Sequence, residues 1–134
     1  MSDADDADVA RWRRAFEAFN RGDFDAVLQA GIHPDVEFMP PGGQMPIRGI
    51  EKFRAWMEPD AFDSQVIEPV EFRRAGNKVL ISQHSKIRGA GSGIEVELDL
   101  WAVWTLDDAG LVTRFEVFLP DQEAEALRAA GLDE

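Results

Sequence analysis

The spacing of apolar residues changes character once along the chain, separating a helical first half from a stranded second half. Between Ala7 and Asn20, the residues Val9, Trp12, Phe16 and Phe19 fall on one helical stripe. Acids at 5, 6 and 8 suit the positive end of that helix, and Gly22 supplies a left-handed stop. Asp23 can then cap a short second helix carrying Phe24, Val27 and Leu28, which Gly31 closes. Pro34 to Met39 reads as a strand, and the Pro-Pro-Gly-Gly run at 40–43 as a loop. Phe53, Trp56 and Met57 predict a third helix over 49–58, ended by Pro59.

After that helix the period falls from 3.6 to 2, the mark of strands. Four follow, at about 65–74, 78–88, 93–106 and 111–119, joined by the Gly-containing turns 75–77, 89–92 and 107–110. Connections this short imply an antiparallel meander. A last short helix at 121–130 ends at Gly131. Helices segregated from strands define an α+β class, with a curved antiparallel sheet wrapped around three N-terminal helices to bury their aromatic stripes. No repeat or linker divides the chain, so residues 7–134 are expected to be one domain behind a disordered acidic tail at 1–6.

Composition narrows the partners. The formal net charge is -12 and the basic residues are scattered, which argues against nucleic acid. There is no cysteine, so disulfides and thiolate metal sites are excluded. No apolar run reaches the roughly 20 residues of a membrane span, and the acidic start is unlike a secretory signal. A cytoplasmic protein that binds no membrane is the expectation. Eleven arginines against three lysines, with many alanines, hint at a GC-rich bacterial genome.

Several strings resemble the SnoaL-like branch of the nuclear transport factor 2-like superfamily. They are FNRGDFDAVL (19–28), HPDVEF (33–38) before a Pro-Pro pair, IRGIEKFRAWM (47–57), GSGIEVE (91–97), VWTLDDAGLVTRFEVFL (103–119) and EALRAAGL (125–132). Their order and spacing carry the likeness over nearly the whole chain from about residue 8. The resemblance implies a cone-shaped pocket between the concave sheet face and the helices, commonly in a homodimer. Family activities include polyketide cyclases, a ketosteroid isomerase, dehydratases and epoxide hydrolases, beside many members with no known reaction.

Strand alternation then assigns the pocket face. Val79, Ile81, Gln83, Ser85 and Ile87 should point inward from the strand at 78–88. The next strand contributes Val96, Leu98, Leu100, Ala102, Trp104 and Leu106, and the last contributes Leu111, Thr113, Phe115, Val117 and Leu119. The resemblance places family acid/base residues at positions matching Met39 or Pro40, Phe115, Val117, Gln83 and Ser85, and none of those constellations is retained. Trp12, Phe16, Phe19, Phe38, Phe53, Trp56, Met57, Leu100, Trp104, Phe115 and Val117 are therefore expected to line an apolar pocket. Gln83 and Ser85 would orient the ligand, and Arg48 would stand at the mouth. His84, Glu37 and Glu116 are the candidate catalytic groups, should they reach the pocket. The two histidines lack metal-ligand spacing, and no metal or cofactor is expected. Trp101, Val103 and Phe118 fall on the outer face, where they suggest a homodimer surface. Three functions stay open: binding of a small apolar molecule, catalysis on a polyketide-, steroid- or terpenoid-like substrate, and protein interaction.

Overall fold

A stripe of aromatic side chains on a helix needs an apolar surface to lie on, and here that surface is the hollow of a twisted sheet. The computed structural model describes residues 3–29, 31–39, 45–57, 62–89 and 93–132. Helix α1 (Asp3–Asn20) and helix α2 (Phe24–Gln29) lead into strand β1 (Ile32–Met39), the short strand β2 (Ile47–Arg48) and helix α3 (Ile50–Met57). Strands β3 (Phe62–Ala75), β4 (Lys78–Gly89), β5 (Glu95–Leu106) and β6 (Val112–Phe118) follow. A 3-10 turn (Pro120–Gln122) and helix α4 (Glu123–Ala129) end the chain. Helix α1 begins at Asp3, inside the acidic segment expected to be disordered. The loop at 40–43 lies outside the described residues, as does most of the turn at 89–92.

The sheet order is β2-β1-β6-β5-β4-β3. Strands β3 to β6 form the expected antiparallel meander, while β1 runs parallel to β6, so the sheet as a whole is mixed. Strand β2, which no periodicity announced, pairs antiparallel with β1. Four register irregularities bend the sheet: between Ile32 and Glu37 on β1, Phe62 and Ser64 and again Pro69 and Glu71 on β3, and Thr105 and Leu106 on β5. Pro69 is tolerated because β3 is an edge strand. The outer edge of β3 is closed at one point by Asn20, whose side-chain amide accepts from Ile67 N at 2.8 Å and donates to Ile67 O at 2.9 Å.

Local signals shaped the helices much as expected. Gly22 takes φ of 79° at the end of α1, and Asp23 caps α2 by accepting from Ala26 N at 3.2 Å. Asp8 holds both Arg11 and Arg74, tying α1 to β3, and Arg54 reaches Asp25 to tie α3 to α2. Two apolar clusters fill the hollow. Trp12 and Phe16 pack on Val79, Ile81, Ala102, Trp104, Leu106 and Val112. Ala18, Val27, Val36, Phe38 and Phe53 form the second. A third cluster lies on the convex side, where Ala126 and Ala130 at the C-terminal helix cover Leu80 and Val103.

That third cluster involves the outer-face residues Trp101, Val103 and Phe118. Val103 is 1% exposed, and Trp101 and Phe118 are half-buried beside it. Helix α4 of the same chain therefore covers Val103 and packs beside Trp101 and Phe118, the residues that suggested a dimer surface.

Candidate ligand-binding site

Cross-strand partners in a sheet share a face, so the register decides which side chains meet. Val79, Ile81, Gln83, Ser85 and Ile87 on β4 stand opposite Trp104, Ala102, Leu100, Leu98 and Val96 on β5. On the other side of β4, Ile67, Pro69 and Phe72 stand opposite Ser85, Gln83 and Ile81. All the β4 and β5 residues named take the expected inward parity. On β6, Phe115 and Val117 also face inward, opposite Trp104 and Ala102. The register shift at the start of β6 reverses the rest of its row. Val112, 4% exposed, joins the core in place of Leu111 and Thr113, and the Thr113 hydroxyl donates to Thr105 O.

One end of this concave face is filled by aromatic rings. Phe16 stacks on Trp104 with centroids 5.8 Å apart, and Trp12 meets Trp104 edge to face at 5.7 Å. Phe115 bridges Trp104 (5.3 Å), Phe38 (5.4 Å) and Phe53 (5.9 Å). Phe19 is half-buried against Phe24. The backbone of Trp56 and Met57 belongs to α3, but their side chains lie outside the described residues.

Gln83 and Ser85 come next along the hollow, 4% and 0% exposed. Among the described residues, Gln83 Oε1 and Ser85 Oγ have no hydrogen-bond partner, and neither does the buried Trp104 Nε1. The reason lies in their surroundings. Ile67, Pro69, Leu98 and Leu100 flank the pair across the strands, and Ile81 and Ile87 flank it along β4. None of these side chains can donate or accept. A buried polar group left unmatched costs about 1–3 kcal/mol, so this pair calls for an outside partner. Farther along, the face is not filled: Ile87, Leu98 and Leu100 are half-buried and Val96 is 46% exposed.

The charged candidates all stand on the opposite, convex face. Glu37 pairs across β1 and β2 with Arg48, whose Nη2 donates to Glu37 Oε2 at 2.6 Å. Arg48 is thus a convex-face residue and not a guard of the pocket mouth. Its neighbour Arg114 binds Glu116 at 2.7 Å and approaches Glu37 at 3.8 Å. These groups border an open groove of about 460 Å³ lined by Asp35, Glu37, Arg48, Thr113 and Arg114. The groove exists because His33–Val36 on β1 face Thr113 alone on β6. His84 is also convex, with Nδ1 2.7 Å from Asp99 Oδ1 and Nε2 3.6 Å from Glu97. The hydrogen bond to Asp99, helped by Glu97, raises the His84 pKa above its ordinary value. Neither His84, Glu37 nor Glu116 reaches the concave face. No group of three or more histidines and carboxylates is arranged to hold a metal among the described residues. Among the described residues no helix is long and apolar enough to cross a membrane.

A family model described as a SnoaL-like domain matches residues 12–115. The chain belongs to the SnoaL-like domain family. Among solved structures, this SnoaL-like chain is similar to a nuclear transport factor 2-like protein of unknown function from Burkholderia pseudomallei K96243. That match has 24% identity and a TM-score of 0.75, covering 97% of this chain and 98% of the other. It is also similar to SalBIII, an epoxide hydrolase/cyclase-like enzyme of pyran ring formation in the polyether salinomycin. Identity there is 20% and the TM-score 0.76, over 89% of this chain and 94% of that one. A putative SnoaL-like polyketide cyclase from Jannaschia sp. CCS1 matches at 18% identity and a TM-score of 0.70, over 96% and 91% of the two chains. At these identities the likeness is one of fold. No curated protein matches the sequence.

Sequence reasoning placed Gln83 and Ser85 on the inward face of β4 but could not see what surrounds them. Ile67 and Pro69 reach the pair only through the β3 register, which the irregularity after Pro69 shifts. The orphaned Trp104 Nε1 likewise had no signal in the sequence, since a tryptophan in an apolar row reads simply as core.

Proposed function

We propose that this SnoaL-like domain binds a small, mostly apolar molecule on the concave face of its sheet, oriented by Gln83 and Ser85. The observation that carries the reading is the buried, unpartnered state of Gln83 Oε1 and Ser85 Oγ inside an apolar frame. Sites of this kind combine apolar area, worth about 25 cal/mol per Å² buried, with a few polar groups that set direction. The acid and base candidates lie across the sheet, so the reading stops at binding and assigns no reaction.

The test compares two probes with the same apolar body, 2-naphthol and naphthalene, by calorimetric or fluorescence titration of the full chain. The hydroxyl compound should bind about tenfold tighter, because it meets the orphaned atoms. Gln83→Leu should erase that preference while leaving naphthalene binding intact. Equal affinity of the two probes for the unaltered protein, or no binding of either, overturns the proposal.

A further inference from the structure

The polar pair does not sit at the entrance of the hollow, and this order of polarity constrains what can enter. Gln83 and Ser85 are buried, whereas the row continuing from Leu98 runs outward to Val96, 46% exposed, and Ile94, 65% exposed, stands just before the first residue of β5. On the opposite face of the same strand, the exposed positions are Glu95, Glu97 and Asp99. Solubility would place similar residues at 94 and 96, yet both are β-branched aliphatics. From Leu98 to Ile94 is four residues, or about 13 Å if the chain stays extended past the start of β5. Among the described residues no charged side chain stands beside Gln83 or Ser85 across the strands or along β4. Gln83 Oε1 can only accept, and Ser85 Oγ can donate or accept.

Resting on the binding reading above, we infer that the ligand is a neutral, elongated alcohol that enters hydroxyl end first. Its hydroxyl donates to Gln83 Oε1 and accepts from Ser85 Oγ. Its apolar body lies along Leu98, Val96 and Ile94 and reaches the rim of the hollow. A carboxylate head would be desolvated with no cation to meet it. A chain spanning about 13 Å at roughly 1.2 Å per bond has about ten carbons.

The experiment titrates the full chain with 1-hexanol, 1-octanol, 1-decanol, 1-dodecanol and decanoate at neutral pH, with 2-naphthol as a compact control. Affinity should rise about two- to fourfold per methylene and level off near decanol. Decanoate should bind roughly tenfold or more weakly than decanol. The double variant Ile94→Ser, Val96→Ser changes exposed side chains, so it should fold, and it should flatten the chain-length dependence beyond hexanol. Decanoate matching decanol, or a chain-length dependence unmoved by the double variant, overturns this inference while 2-naphthol binding keeps the pocket reading alive. Failure of the alcohols and 2-naphthol alike overturns both.

Discussion

The concave and convex faces are made by alternate residues of the same strands, yet they treat polar groups in opposite ways. On the convex face Glu37, Arg48, Arg114, Glu116, His84 and Asp99 are partly wet and matched with one another. On the concave face Gln83 Oε1 and Ser85 Oγ are dry and matched with nothing among the described residues. The candidate site is therefore marked by unmet hydrogen bonding in an apolar setting, and not by the densest charge. The groove between β1 and β6 has volume, but its Glu37, Arg48 and Arg114 already pair with one another or with Glu116.

Four substitutions would break or sharpen that contrast. The largest effect should come from Phe38→Ala, which empties a fully buried position touching Phe53 and Phe115. It should cost about 3–5 kcal/mol, read as a lowered urea midpoint. Gln83→Leu should move the other way. Removing an unmatched polar group at nearly constant volume should stabilise the ligand-free protein by about 1 kcal/mol, a rise of roughly 3–5 °C in Tm. A fall in Tm would mean that Gln83 already has a strong partner. On the convex face Arg48→Ala, at a side chain 76% exposed, should change stability by no more than about 1 kcal/mol in the same denaturation assay.

The smallest effect concerns pH. His84 has a raised pKa in the folded chain because Asp99, and secondarily Glu97, favour its protonated form. Its contribution to stability is fully present below about 6.5, the unfolded value, and is lost as pH rises through the higher folded value. Asp99→Asn should move the His84 titration, followed by proton NMR, toward lower pH and shrink that pH dependence. An unmoved titration would show that the Asp99 bond does not govern it.

Much of this was legible along the chain. The class, the segregation of helices from strands and the meander followed from the change of period. So did the facing of Gln83 and Ser85 away from His84. Where the reading departed from the structure, the cause was non-local. Arg48 was expected at the pocket mouth, but two-residue strand β2 turns it onto Glu37 across the sheet. The irregularity opposite Thr105 and Leu106 exchanged Val112 for Leu111 and Thr113 in the core.

The sequence by itself determined the face each side chain takes on β4 and β5, because strand alternation is a property of the local backbone. It also determined where helices begin and stop, through Asp23 and Gly22 acting on their own neighbours. Only the tertiary structure decided that β1 lies parallel to β6, that α4 covers Val103, and that Gln83 and Ser85 are enclosed by Ile67, Pro69, Leu98 and Leu100. Each of these depends on which distant segments come to lie side by side, and no local pattern encodes a neighbour from another strand.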